Sequence, residues 1–230
     1  MKHQLENETY SVQINGIGAE LCSFKSKQND LEYVWQGNPE YWGSTAPVLF
    51  PIIGALKNGV YSHKGKAYSV PKHGFIRHNE HLVIKNKTKS EITFSYASNE
   101  ALKMDYPFDF QFEITFSLRE NVLTVSHQIT NNGDTEMLFS LGGHPAFNCP
   151  LLSNENYEDY YLEFDDEQTL ETTVLSNNGL LTDETFEVIR NRKQIDLTED
   201  LFANDALIFK DIPSKKVVLK SKYHGHSVTM

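Results

Sequence analysis

Cysteine is scarce in this sequence. Cys22 and Cys149 are its two cysteines among 230 residues, and neither has the neighbouring ligands of a metal site. A disulfide framework and a cysteine-type zinc site are therefore not expected. The N-terminus is polar and lacks the apolar stretch of a signal peptide. Together these features predict a reduced, cytoplasmic protein.

Basic residues and long apolar runs are also few. The chain has 21 lysines and arginines against 31 aspartates and glutamates, a formal charge of −10, and its basic residues form no run. We therefore expect no nucleic-acid partner. No apolar run is long enough to span a bilayer, so we expect no membrane partner either.

Helical periodicity is almost missing, and alternating patterns of apolar and polar residues dominate instead. The longest runs from Phe110 to Arg119, where every second side chain is apolar, and it predicts a half-buried antiparallel strand. Further strands are predicted at Leu31–Trp35, Glu136–Leu141 and Ala206–Phe209, and a turn at Asp165–Glu167. The expected fold class is all-β: a large antiparallel β-sandwich, in one domain over residues 1–230.

Common catalytic motifs are missing as well. There is no Gly-x-Ser-x-Gly elbow, no P-loop and no His-Glu-x-x-His zinc helix. The stretch Gly16–Leu21 is half of a dinucleotide-binding fingerprint, but its third glycine is missing and no helix pattern follows. Dinucleotide binding is therefore not expected.

Two glycine-flanked histidines stand out against these absences. His144 lies in the stretch Ser140–Asn148, where two glycines precede it and a proline follows, so it is confined to extended conformations on a bent loop. His73 lies two residues after Pro71 and directly before a glycine, in a histidine-rich stretch. Histidine transfers protons near neutral pH, so these positions suit acid–base chemistry in a binding pocket.

Three other residue types fit a sugar pocket. Trp42 lies in a proline-rich loop, and an aromatic ring there can stack on the C–H face of a sugar or simply cover the core. Asp205 stands before a predicted strand, where its carboxylate can accept bonds from sugar hydroxyls or serve an ordinary turn. Asn148 and Arg77 supply further polar groups beside the two histidine loops.

Four segments together resemble the aldose 1-epimerase (galactose mutarotase) family, and within it the LacX-like branch. They occur in the family's order and span almost the whole chain: Pro47–Gly54, His73–Arg77, Gly143–Asn148 and Asn204–Phe209. The resemblance implies a galactose mutarotase-like β-supersandwich and an isomerase that interconverts the α and β anomers of a galactose- or glucose-type aldose. It implies no metal or organic cofactor and a small-molecule aldose as the partner. We expect a monomer or homodimer.

The resemblance also assigns roles to residues. His144 matches the family's general acid, and His73 matches its second active-site histidine, which holds and polarises the sugar ring. Asp205 matches a carboxylate that binds sugar hydroxyls, and Arg77 lies where the branch often has a substrate-binding arginine. Asn148 closes the His144 motif and is expected to bind substrate with Trp42.

Two departures from the family keep alternatives open. Ala55 stands where relatives often have a sugar-contacting arginine. The family's general base is a glutamate in a C-terminal strand, and this sequence stops at Met230 before reaching it. We expect either a truncated form without its last strands or a protein without the base, with reduced catalysis. A non-catalytic carbohydrate-binding protein and a sugar-phosphate 1-epimerase are the alternative functions.

Overall fold

The computed structural model describes residues 1–230, and its regular structure is almost entirely antiparallel strand. Two compact units divide the chain, Met1–Ala146 and Phe147–Met230. The all-β class predicted from the alternating patterns is confirmed, whereas a single domain over the whole chain stays a prediction. No helix in the structure combines the length and the apolar character needed to cross a membrane.

The first unit contains eleven strands in four sheets. They are β1 (Lys2–Glu6), β2 (Tyr10–Asn15), β3 (Glu20–Ser26), β4 (Val48–Leu49), β5 (Val60–His63), β6 (Lys66–Ser69), β7 (Val83–Lys87), β8 (Glu91–Ala97), β9 (Phe110–Arg119), β10 (Val122–Asn131) and β11 (Gly142–Gly143). The sheet orders are β1-β2-β3, β10-β9-β8-β7, β5-β6 and β11-β4. Short 3₁₀ turns lie at Lys57–Gly59, Ile76–His78 and Leu102–Met104.

The core of this unit lies between two of its sheets. Along β9 every second residue from Phe110 to Leu118 is buried, as the sequence alternation predicts. These side chains share one apolar cluster with Val12 and Ile14 of β2. Burial of such side chains contributes about 1.5–3 kcal/mol each, so this core makes a firm support for the loops that leave it.

The second unit contains four strands and two 3₁₀ turns. The strands are β12 (Tyr160–Leu175), β13 (Leu181–Asp196), β14 (Val217–Ser221) and β15 (Ser227–Thr229), and they form one sheet in the order β13-β12-β14-β15. The 3₁₀ turns are Tyr157–Asp159 and Glu199–Phe202. A small apolar cluster that includes Phe164, Leu170 and Ile189 lies against this sheet.

Four local predictions were wrong. Leu31–Trp35 makes only isolated bridges, Glu136–Leu141 forms no strand before β11, and Ala206–Phe209 has a single bridge to Thr172. The acidic run Asp165–Glu167 lies within β12, where register shifts replace the predicted turn. Apolar spacing reports burial but not strand pairing, and a bulge lets a strand continue through a polar stretch.

Candidate active site

Backbone contacts fix the loop that carries His144. Gly142 and Gly143 pair with Leu49 and Val48 across β11 and β4. The amide of His144 then donates to the carbonyl of Pro47 at 3.1 Å. The pairing continues as Ala146 donates to Thr45 at 2.8 Å and accepts from the amide of Trp35 at 2.9 Å. The His144 residue itself is exposed, so a rigid backbone presents an accessible imidazole.

His73 is held in an unusual backbone conformation. Its φ is +68°, in the left-handed region that non-glycine residues seldom occupy. The next residue is Gly74, at φ +77°, and a Cβ there would overlap the carbonyl oxygen of Phe50. This close approach requires glycine, which explains the His-Gly pair in the sequence. Left-handed residues that the surrounding structure enforces often lie at functional sites.

The tautomer of His73 follows from its hydrogen bonds. Its Nδ1 accepts a hydrogen bond from the amide of Gly54 at 3.1 Å, while its own amide donates to the Gly54 carbonyl at 2.9 Å. In the neutral imidazole Nε2 therefore carries the proton and is a donor. Burial lowers the pKa of His73, and the charges of Lys72 and Arg77 and the neighbouring His144 lower it further.

Trp42 and the two histidines form one cluster. The His73 and His144 rings are 6.0 Å apart between centroids with a 70° angle between their planes. The Trp42 ring is 4.9 Å from His144, tilted by 40°. The Trp42 carbonyl accepts from the indole nitrogen of Trp35 at 2.8 Å, so two aromatic residues hold this loop. The cluster combines two imidazoles with an aromatic surface.

Arg77 joins the cluster through a residue that the sequence did not single out. Its Nη2 donates to the hydroxyl of Ser44 at 3.1 Å, two residues after Trp42. Its Nε is buried and has no hydrogen-bond partner in the structure. A buried donor without an acceptor is costly and needs an explanation, and an incoming oxygen ligand would supply the acceptor.

An apolar cavity lies behind His144. It has a volume of about 190 Å³, and its wall combines Gly143–Pro145 with core side chains and His127 of β10. Burial lowers the pKa of His127, and its Nε2 has no hydrogen-bond partner. His144 and Pro145 therefore border an apolar cavity whose wall includes an unpartnered imidazole nitrogen.

The other two predicted site residues belong to the second unit. Asp205 has a left-handed φ of +81°, is exposed, and accepts from the amide of Ala206 at 2.7 Å. It lines a cavity of about 350 Å³ whose wall includes Thr173 and Asn204. Asn148 is half-buried. The first unit therefore brings together Trp42, His73, Arg77 and His144, whereas Asp205 lines a cavity of its own unit.

The comparisons with known proteins agree on one family. The family model described as "Aldose 1-epimerase" matches residues 1–229. "Protein LacX, chromosomal" from Lactococcus lactis subsp. lactis is 34% identical over an alignment of 233 positions, which covers 98% of this chain and 77% of that protein. The resemblance to the LacX-like branch is thereby confirmed.

Two solved structures confirm the galactose mutarotase-like β-sandwich. A galactose mutarotase related enzyme from Lactobacillus acidophilus has a TM-score of 0.93 and 38% identity, over 100% of this chain and 76% of that one. A galactose mutarotase-like protein from Lactobacillus casei has a TM-score of 0.91 and 30% identity, over 100% of this chain and 78% of that one. The chain belongs to the aldose 1-epimerase family.

Proposed function

We propose that this protein interconverts the α and β anomers of an aldose by acid–base ring opening. The observation that carries the proposal is the pair of histidines, 6.0 Å apart beside Trp42, on loops that their backbone contacts hold in place. Two imidazoles with an aromatic surface supply proton transfer and a face for a pyranose ring. The names of the relatives make galactose the first sugar to test.

In this proposal His144 is the general acid. His144 gives a proton to the ring oxygen as the C1–O5 bond breaks, while a base takes the proton of the anomeric hydroxyl and the C1 aldehyde forms. The open-chain sugar rotates about C1–C2, and both protons return when the ring closes. General acid catalysis of this kind typically contributes about 10²–10⁴-fold. Trp42, in ring contact with His144, provides the surface on which the sugar stacks.

His73 holds the sugar as a neutral donor. The Gly54 amide occupies its Nδ1, so Nε2–H is the group left to donate to a ring or hydroxyl oxygen of the substrate. The lowered pKa keeps His73 neutral at neutral pH, which prevents it from competing with His144 as an acid. The two histidines therefore have different tasks in this proposal.

One further residue of the first unit binds a substrate oxygen. Arg77 offers its unpartnered Nε–H to a hydroxyl of the sugar. Asp205, exposed beside a cavity of the second unit, is assigned no contact with this sugar. The base that accepts the anomeric proton has no residue assigned to it in this proposal.

We propose a cytoplasmic location as well. Cys22 and Cys149 are both free thiols, and burial raises the pKa of Cys149 to about 12. Unpaired cysteines of this kind are typical of a reducing compartment.

Polarimetry on freshly dissolved α-galactose and α-glucose tests the function. We expect the protein to accelerate mutarotation above the spontaneous rate, and His144→Ala to remove the acceleration. A second series adds acetate as an external base, which should raise the rate if the base step limits turnover. If Trp fluorescence detects sugar binding but neither series shows acceleration, the protein is a sugar-binding protein rather than an enzyme. If only the mutarotation of a sugar phosphate is accelerated, the substrate is a sugar phosphate rather than a free aldose.

A further inference from the structure

Glu20 makes an unusual contact at the start of β3. Its Oε1 accepts two backbone hydrogen bonds, from the amide of Thr45 at 2.7 Å and from the amide of Ala46 at 3.0 Å. The hydroxyl of Thr45 donates to the carbonyl of Leu21, the next residue, at 2.6 Å. Hydrogen bonds to a carboxylate are roughly twice as strong as neutral ones. The segment at residues 45–46 is therefore fixed to β3.

The other side of this segment holds the loop of the proposed acid. The carbonyl of Thr45 accepts from the Ala146 amide, and the carbonyl of Pro47 accepts from the His144 amide. Glu20 binds the N–H side of the segment and the His144 loop binds its C=O side. Two layers of hydrogen bonds thus connect the Glu20 carboxylate to the backbone of His144.

The same stretch of sequence also reaches Arg77. Gly18, at φ +66°, lies against the backbone of Arg77, where a Cβ would overlap the Arg77 carbonyl, and its amide donates to Asn79 at 3.0 Å. Ser44, the residue before the segment that Glu20 holds, accepts from the guanidinium of Arg77. The stretch Gly16–Leu21 therefore contacts two elements of the proposed site.

We infer that Glu20 is a positioning residue for the proposed reaction, which sets the place of His144 through the backbone of Thr45 and Ala46. It touches neither the sugar nor the reacting atoms. This inference rests on the proposed function for its kinetic consequence, while its structural consequence, a displaced His144, can be measured without turnover. A misplacement of about 1 Å at a catalytic group can cost about 10²-fold in rate.

The kinetic test compares Glu20→Ala with Glu20→Gln in the mutarotation assay. We expect Glu20→Ala to lower kcat by about ten- to hundredfold with a smaller change in KM, since the acid is misplaced. Glu20→Gln keeps an oxygen acceptor of the same shape and should restore kcat to within about threefold. The matched control is Asn7→Ala, because Asn7 also accepts two backbone amides with one oxygen, from Thr9 and Tyr10. It should lower stability and leave kcat unchanged.

The second readout is the NMR signal of His144 in protein labelled with ¹⁵N-histidine, assigned from the His144→Ala spectrum. We expect the His144 signal to move in Glu20→Ala and to stay in place in Asn7→Ala. If Glu20→Ala does not fold, Glu20→Gln replaces it and should still move the His144 signal by a measurable amount. An unmoved His144 signal in a folded Glu20 variant, or an equal shift in the Asn7 control, would overturn the inference. A wild-type protein without turnover would overturn the proposed function alone, since the NMR result does not depend on it.

Discussion

Two histidine clusters of this protein differ in how far the chain itself satisfies them. In the first unit, His144 is exposed and the buried Nε of Arg77 has no partner. In the second unit, Glu155 has a side chain only 4% exposed, and it accepts bonds from three residues: Tyr160, Ser221 and His224. His224 in turn accepts from the His226 amide through Nδ1 at 3.1 Å. The first cluster has unused hydrogen-bonding capacity, and the second has its partners within the chain.

This difference separates a binding site from a structural network. A buried polar network whose members are bonded to each other stabilises one arrangement and has little to offer a ligand. Donors that are accessible or unpartnered form a new, stabilising hydrogen bond when a substrate supplies the acceptor. We therefore propose a chemical role for Trp42, His73, Arg77 and His144, and a stabilising role for the network around Glu155.

The largest effect is expected for the proposed acid. His144→Ala should lower kcat for mutarotation by about 10²–10⁴-fold, because it removes the general acid, and should leave sugar affinity within about tenfold. Polarimetry and fluorescence titration measure the two quantities. His78→Ala, at an exposed histidine, is the control and should change neither. Unchanged turnover in His144→Ala would remove the acid assignment.

The next effect concerns His73. We expect His73→Asn to lower kcat/KM by about 10²-fold, because asparagine tolerates the left-handed backbone but removes the Nε2–H donor. Circular dichroism should show an intact fold. A variant with wild-type kcat/KM would show that the sugar does not contact His73.

The lowered pKa of His73 also predicts how the stability of the protein changes with pH. Its folded pKa lies below the unfolded value of about 6.5, so the neutral form is favoured in the folded protein. The stability that His73 contributes is therefore present above pH 6.5 and lost as the pH falls through the folded pKa. Protonation also removes the acceptor for the Gly54 amide. Acid unfolding curves of wild type and His73→Asn should converge as the pH falls below 6.5, and parallel curves would contradict this.

An effect on stability alone is expected at Glu155. Burial raises its pKa, but the hydrogen bonds from Tyr160, Ser221 and His224 outweigh burial and leave the pKa lowered. The stability that Glu155 contributes is therefore present above its unfolded pKa of about 4.3, and it is lost as the pH falls through the pKa of the folded protein. Glu155→Gln should destabilise the protein by about 1–3 kcal/mol at pH 7. In denaturant titrations this loss should shrink below pH 4, whereas the exposed control Glu158→Gln should cost little at any pH.

The smallest effect is expected at Arg77. Arg77→Lys keeps the positive charge but loses the Nε donor and the planar geometry that reaches Ser44. We expect KM to rise by about tenfold, which is about 1.4 kcal/mol, with kcat nearly unchanged. Arg119→Lys, at an exposed position on β9, is the control. A change in kcat rather than KM would place Arg77 in the chemical step.

The sequence predicted the parts of this molecule that depend on local patterns. Alternation along Phe110–Arg119 predicted β9, and glycine and proline beside His73 and His144 predicted constrained loops. Strand pairing was harder to predict. Glu136–Leu141 contains apolar residues but forms a loop, in which the amide of Ser140 donates to the carbonyl of Pro51. Partners on both sides of a stretch decide whether it becomes a strand.

Contacts between distant residues had no signal in the sequence. Glu20 meets Thr45 across 25 residues, and Glu155 meets His224 across 69 residues. A glutamate beside a glycine motif and a histidine before a glycine are ordinary surface patterns until the fold brings their partners to them. Packing, rather than local propensity, therefore determined which polar residues became structural.

The measurement that tests the comparison most directly is a sugar titration followed by NMR of ¹⁵N-labelled histidines. It reports on both clusters in one sample and does not require turnover. We expect galactose or glucose to move the signals of His73 and His144 and to leave those of His224 and His226 in place. Shifts at His224 and His226, with His73 and His144 unmoved, would contradict this expectation and place the sugar in the second unit.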